Sequence, residues 1–217
     1  MLQRAIVHLM PLWVLLLGPL LLGPLSTLPR AQAAGNAPPS PLPAAPTPTA
    51  PPRHIAPLFT PEVRYWESQI VAWAEAAGLD PDLVATVMQM ESCGDPEAVS
   101  SAGARGLFQV MPFHFQPDEA MHDPQTNALR GLAYLARALH LAQGDVRLAL
   151  AGYNGGHSLI GLDPAQWPAE TQRYARWGSG IYADAKAGLS QSPTQAAWLA
   201  AGGASLCRQA HVRLGLP

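Results

Sequence analysis

Three times this chain places a helix-capping residue directly before a proline and follows the pair with apolar residues at helical spacing. The pairs are Thr60-Pro61, Asp80-Pro81 and Asp123-Pro124. Proline at the first helical position loses nothing, because the N–H it lacks would have no partner there. The residue before it offers a side-chain oxygen to the open end of the helix. After Thr60 the apolar positions are Val63, Trp66, Ile70, Trp73 and Ala77, with Gly78 as a stop. After Asp80 they are Leu83, Val84, Val87 and Met88, and after Asp123 they are Leu129, Leu132, Leu135 and Leu139. A chain punctuated this way folds mainly as short helices. Further helical stretches are expected over residues 146–151, 169–185 and 193–201. No internal repeat and no coiled-coil heptad is present.

Glu91 closes the second of these helices. It falls three residues after Met88 and four after Val87, so its carboxyl points towards the apolar face. Desolvation there favours the protonated form and raises the pKa, which suits a general acid at neutral pH. The alternative is a glutamate that ends a helix and pairs with an arginine, and spacing alone does not choose. The segment that follows carries Gly94, Gly103 and Gly106. Ala98–Ser100 and Leu107–Val110 are expected as short strands. The glycines either admit a polymer close to the backbone or simply make turns. Further on, Val146–Ala151 is expected to run into a loop at Gly152-Tyr153-Asn154-Gly155-Gly156.

The N-terminal quarter has a different character. Arg4 precedes an apolar run from Leu9 to Leu28, and Ala31-Gln32-Ala33 has the small-x-small pattern of a processing site. Residues 1–34 are therefore expected to be a signal peptide for export, with an uncleaved membrane anchor as the alternative. Residues 35–57 hold nine of the 23 prolines. They are expected to be a semi-extended linker rising about 3.1 Å per residue where it adopts polyproline II. Residues 58–217 are enough for one domain with a core. Without Arg4 and Arg30 the chain keeps eleven basic and fifteen acidic side chains, a net charge of −4, which argues against nucleic acid as a partner. The only two cysteines, Cys93 and Cys207, suggest a disulfide in an exported protein; two separate thiols are the alternative.

Several chemistries have no support in the motifs. His114, His122, His140 and His157 lack metal-ligand spacing, so neither a metal nor another cofactor is expected. There is no G-x-S-x-G elbow and no phosphate loop. Cys93 as a nucleophile would be disabled by a disulfide. Glycosidases usually need two carboxyl groups. Asp95 and Glu97 are near Glu91 in sequence but flank Pro96 in a turn.

The block Glu91-Ser92, with Pro96 and Ala98-Val99-Ser100, continues into Gly103-Ala104-x-Gly106-Leu107-Phe108-Gln109-Val110-Met111-Pro112. Asp123-Pro124, Asn127, Gly131-x-x-Tyr134-Leu135, Leu150-Ala151-Gly152-Tyr153-Asn154-x-Gly156 and Glu170-Thr171-x-x-Tyr174 follow in order. Over roughly residues 65–182 the chain resembles the family 1, soluble-type (SLT domain) lytic transglycosylases, which are related to goose-type lysozyme. The resemblance implies a mostly α, α+β lysozyme-like domain with a glycan cleft and a small strand-containing segment. It implies cleavage of the β-1,4 bond between N-acetylmuramic acid and N-acetylglucosamine in peptidoglycan, closing a 1,6-anhydro ring without water. By position, Glu91 is the single acid and base. Gln109, Met111, Tyr153 and Asn154 line the cleft, Ser92 and Ser100 support it, and Tyr174 bonds Glu91. Glu170 is implied as a supporting carboxylate and Phe108 as core.

The departures are Cys93-Gly94 after Ser92, Gly152 where alanine is usual, Ala175 where valine is usual, and Gly178 and Gly180 in a helical stretch. Residues 183–217 have no clear counterpart in the family. The expected protein is an exported, monomeric enzyme of the cell envelope or exterior. Its partner is the peptidoglycan glycan strand, and it meets the membrane only through the signal segment if that is retained. Two other readings stay open: a hydrolytic lysozyme with a second carboxylate, and a peptidoglycan-binding module without catalysis.

Overall fold

A computed structural model describes residues 54–217, which are mostly helical. The expected signal segment lies outside the described residues, as does all but the last part of the expected linker. That last part is not a spacer. Ile55 is in the core, its N–H bonds Oε1 of Glu67, and the N–H of Ala56 bonds Oδ1 of Asp82 at 2.7 Å. The packed domain therefore begins before residue 58. No helix among the described residues is long and apolar enough to cross a membrane.

The centre of the domain is helix α3, Pro81–Glu91, in which every residue from Pro81 to Met90 is buried. It follows α1 (Pro61–Arg64) and α2 (Glu67–Ala77). After it come α4 (Pro124–Leu141), α5 (Val146–Gly155) and α6 (Ala169–Lys186). The chain closes with α7 (Pro193–Trp198) and α8 (Ala204–Leu214). Helix α3 packs on α2 and α6, α5 packs between α4 and α6, and α1 meets α8. Asp80 and Asp123 cap their helices as expected, accepting from the N–H groups of Asp82 and Thr126. Thr60 does not; its hydroxyl lies 3.3 Å from Sγ of Cys93 instead.

The first helical pattern breaks into two helices at Tyr65 and Trp66. The indole N–H of Trp66 reaches the carbonyl of Gly94 at 2.9 Å, tying the start of α2 to the loop after α3. The two expected strands do not form. Val99 with Arg105 and Arg105 with Val110 make isolated bridges only. The backbone there is spent on tight turns and on one side chain. Asn127 accepts from the N–H of Phe108 at 2.9 Å and donates to the carbonyls of Arg105 and Met121 at 2.8 and 2.9 Å. The N–H and carbonyl of Arg105 still pair with Val110, and the rest of the segment is a turn-rich loop pinned to α4.

The glycine run at 152–156 is not a loop. Helix α5 continues to Gly155, and Gly156 ends it at φ 97°. Gly152 lies inside the helix under the side chain of Ile160, whose Cδ1 would be 2.5 Å from a Cβ there and would have to move aside. Gly178, in the middle of α6, is packed in the same way: a Cβ there would meet Cδ1 of Leu150 at 2.8 Å and Sδ of Met90 at 3.1 Å. The missing side chain lets α6 cross close to α5 and α3, so a residue poor in helix propensity serves the packing. Residues 199–203 form a π turn, and α8 beyond it was not expected from the sequence. Cys207 on α8 pairs with Cys93, with Cα atoms 4.9 Å apart.

Candidate active site

Glu91 is the last residue of α3, where ten buried residues bring its side chain to the edge of the core. Tyr174 reaches it from α6, its hydroxyl donating to Oε1 of Glu91 at 2.6 Å. The carboxyl is desolvated, and burial raises its pKa. The Tyr174 hydrogen bond opposes that rise and the charge of Glu170 adds to it, leaving the pKa at about 7, against 4.5 for a free glutamate. Among the described residues the side-chain partner of Glu91 is Tyr174 and no arginine pairs with it, which disfavours the arginine-paired helix end. At neutral pH the group is divided between acid and base, the condition general acid–base catalysis requires. The hydroxyl of Tyr174 is buried beside it and its own pKa is pushed well up, so it stays a donor.

A cleft adjoins this pair. Its wall includes Gln109, Met111, Tyr153 and Asn154, the four cleft residues that the sequence resemblance implied. Glu91 is not part of that wall. Tyr153 connects the two, because the Glu91 charge helps to raise the pKa of Tyr153, after burial. Tyr153 is held by donating to the carbonyl of Phe108 at 2.7 Å, and Asn154 accepts from the hydroxyl of Thr171 at 2.8 Å. Gln109 stands at φ 46°, in the left-handed region, and its amide donates to the carbonyls of Gly106 and Ala98. Those two bonds hold an otherwise unfavourable backbone geometry. Phe108 is fully buried, as expected of core.

The serines are placed differently from the cleft residues. Ser92 is buried, and its hydroxyl donates to the carbonyl of Leu107 at 2.7 Å and accepts from the N–H of Gly94 at 3.1 Å. It braces the loop and does not face the cleft. Ser100 accepts from the N–H of Ala104 at 3.0 Å and closes a turn. The wall also holds Phe113, His114, Gly131 and Tyr134, none of which was singled out as a site residue. The spacing of Gly131 and Tyr134, three apart on one helix, was a signal for a shared face. Nothing local marked Phe113 or His114.

Asp95 and Glu97 are engaged elsewhere. Asp95 is buried, accepts from the N–H of Glu97 at 2.9 Å and lies 3.5 Å from Nε of Arg213. Glu97 lies 3.6 Å from Nδ1 of His122. Among the described residues one group, Glu62, Cys93 and Cys207, brings metal-ligand atom types within 4.8 Å of one another. Paired sulfurs are not thiolates, and Glu62 is taken by Nδ1 of His211 at 3.0 Å.

The fold and the site define a mostly helical domain with one enclosed glutamate beside a cleft. Residues 68–173 match the family model of the transglycosylase SLT domain. The transglycosylase of Enterobacteria phage PRD1 is 39% identical over 114 residues, 52% of this chain and 40% of the phage protein. Membrane-bound lytic murein transglycosylase F 1 of Alkalilimnicola ehrlichii is 30% identical over 134 residues, 53% of this chain and 26% of that protein. Among solved structures, an inactive mutant of lytic transglycosylase Slt from Pseudomonas aeruginosa aligns with a TM-score of 0.46 and 22% identity, covering 58% of this chain and 24% of that one. The chain thus spans 40% or less of the length of each of these relatives.

Proposed function

We propose that this protein is an exported lytic transglycosylase that cuts the β-1,4 bond between N-acetylmuramic acid and N-acetylglucosamine in peptidoglycan. The observation that carries the reading is a single desolvated carboxyl of pKa about 7, held by Tyr174 next to a cleft in a transglycosylase SLT domain. In the proposed reaction protonated Glu91 gives its proton to the glycosidic oxygen, and the C1–O4 bond of the muramoyl sugar breaks. The resulting carboxylate takes the proton of that sugar's C6 hydroxyl, whose oxygen bonds C1. The proton returns to Glu91, the second chain leaves with its O4 hydroxyl, and no water enters. One residue serves twice, which a pKa near neutrality permits.

Hydrolysis by a second carboxylate is the competing chemistry, and the engagement of Asp95 and Glu97 in a turn and ion pairs disfavours it. The test is the mass of the fragments released from purified peptidoglycan by the full chain. Anhydro ends, one water lighter than reducing ends, are expected. Reducing ends would replace this mechanism with hydrolysis. Binding to sacculi with no fragments released would reduce the protein to a binding module.

We also propose that residues 1–34 direct export to the cell envelope, that residues from 35 to about 53 space the domain from its point of exit, and that the enzyme acts as a monomer. The N-terminal sequence and mass of the exported protein test the first two points, and sedimentation tests the third. The Cys93–Cys207 pairing supports an oxidising destination.

A further inference from the structure

Phe113 is 74% exposed. A single exposed apolar side chain is ordinary on a protein surface. Its position is not. Of the strongly exposed large apolar side chains among the described residues, Phe113 is the one that lines the cleft beside Glu91. It also ends a run of rings that starts next to that glutamate. Tyr153 lies 5.8 Å from Tyr134, Tyr134 lies 4.8 Å from His114, and His114 lies 4.5 Å from Phe113, centroid to centroid. His157 backs the run, stacked on Tyr134 at 4.0 Å.

The turn that carries Phe113 is fixed before any ligand arrives. Pro112 locks its first φ. The N–H of His114 bonds the carbonyl of Met111 at 3.0 Å, and the N–H of Phe115 bonds that of Pro112 at 3.1 Å. Phe115 anchors the turn in the core while Phe113 points the other way. An apolar ring held in water on an ordered turn is preorganised for a ligand and needs little further ordering to bind it.

The wall says what that ligand is. Its residues are Gln109, Val110, Met111, Phe113, His114, Gly131, Tyr134, Tyr153, Asn154 and Gly156, with no acid, lysine or arginine among them. Burial and the neighbouring His157 lower the pKa of His114, so its ring is uncharged at neutral pH as well. Rings alternating with neutral amides suit a sugar, which offers an apolar C–H face and hydroxyls at its edge. A charged peptide stem would find no counter-charge here.

We propose that Phe113, on the Pro112–His114 turn, is a distal saccharide subsite that stacks on a sugar of the same glycan strand away from the bond being cut, so that the enzyme prefers long strands. This rests on the glycan-cleaving reading above. Binding energy gained on a remote part of a substrate serves the reacting centre only when the substrate is long enough to reach it.

The test compares the full chain with Phe113→Ala and Phe113→Trp on long purified glycan strands and on the shortest fragment cleaved. The ratio of kcat/KM for long over short substrate is expected to fall roughly threefold to tenfold in Phe113→Ala, the size of one lost aromatic contact, and to recover in Phe113→Trp. An unchanged ratio in Phe113→Ala would overturn the proposal, and so would an equal loss on both substrates. A second arm measures binding to intact sacculi in a Glu91→Gln background, with and without Phe113→Ala. Weaker retention is expected with the substitution, and equal retention overturns the subsite. If the wild type binds sacculi but releases nothing, the catalytic reading falls while this arm still decides the subsite.

Discussion

Tyr174 donates a 2.6 Å hydrogen bond to Glu91 across the contact between α6 and α3. The bond does two things at once. It orients the carboxyl, and it favours the ionised form against a burial that favours the neutral one. Tyr174→Phe removes both effects. We predict that kcat falls roughly tenfold or more through lost positioning and that the alkaline limb of the pH–rate profile moves upward. Loss of rate with an unmoved profile would leave Tyr174 a packing role only.

The wild-type profile follows from the same carboxyl. The resting enzyme must hold Glu91 protonated, so kcat/KM is expected to decline as pH rises through about 7. The sign for stability is the same. The folded pKa is above the unfolded value of 4.5, so between these values the folded chain binds more protons, and stability falls as pH rises from about 4.5 to about 7. Glu91→Gln removes that penalty. It is expected to abolish turnover and to be more stable than wild type above pH 7, by on the order of 1–3 kcal/mol. Denaturant unfolding at pH 5 and pH 8 checks this, and a stability difference independent of pH would contradict it.

Asp95 bonds the N–H of Glu97 and neighbours Arg213, which assigns it to structure. Asp95→Asn should therefore keep turnover within a few-fold and release the same anhydro products. A near-complete loss of activity in a folded Asp95→Asn protein would favour the two-carboxylate mechanism.

Cys93, two residues beyond Glu91, pairs with Cys207 across a sequence separation of 114. Replacing both with alanine is expected to destabilise the protein by roughly 2–5 kcal/mol. Matched denaturant curves with and without reductant provide the check, and coincident curves would show that the bridge does not form in the protein. Alkylation of the oxidised protein should find no free thiol.

Asn127 holds two backbone groups of the loop that carries Gln109 and Met111, and one of the turn before α4. Asn127→Ala leaves the N–H of Phe108 and the carbonyl of Met121 without these partners, while the carbonyl of Arg105 keeps the N–H of Val110, at a cost of roughly 1–3 kcal/mol. Activity should drop although the residue touches neither Glu91 nor the cleft wall. Faster amide exchange over residues 105–110 is the specific readout, and unchanged protection there would contradict the clamp.

How much of this was readable in advance differs from element to element. The three proline-marked starts were readable because proline geometry, joined by capping at Asp80 and Asp123, acts within four residues. Gly152 and Gly178 misled because local propensity penalises glycine in a helix, whereas here the side chains of Ile160, Leu150 and Met90 occupy the space a Cβ would take. The expected strands shrank to isolated bridges because turns at Ser100–Gly103 and Gly106–Gln109 interrupt the pairing, and Asn127, from α4, binds the N–H of Phe108 between them. Ser92 was placed in the right neighbourhood but facing inward, since the carbonyl it bonds belongs to Leu107.

By itself the sequence determined that the domain is helical, that Glu91 ends an apolar helix, and which family block surrounds it, because periodicity and motif order are written along the chain. Only the tertiary structure decided what Glu91 is. Its pKa depends on burial by α3's neighbours and on a hydroxyl 83 positions away at Tyr174. The cleft wall required Phe113 and His114 from one turn to meet Tyr134 from α4 and Tyr153 from α5. Charge regulation and ring contacts act through space over a few ångströms, and sequence spacing has no bearing on which distant residues come that close.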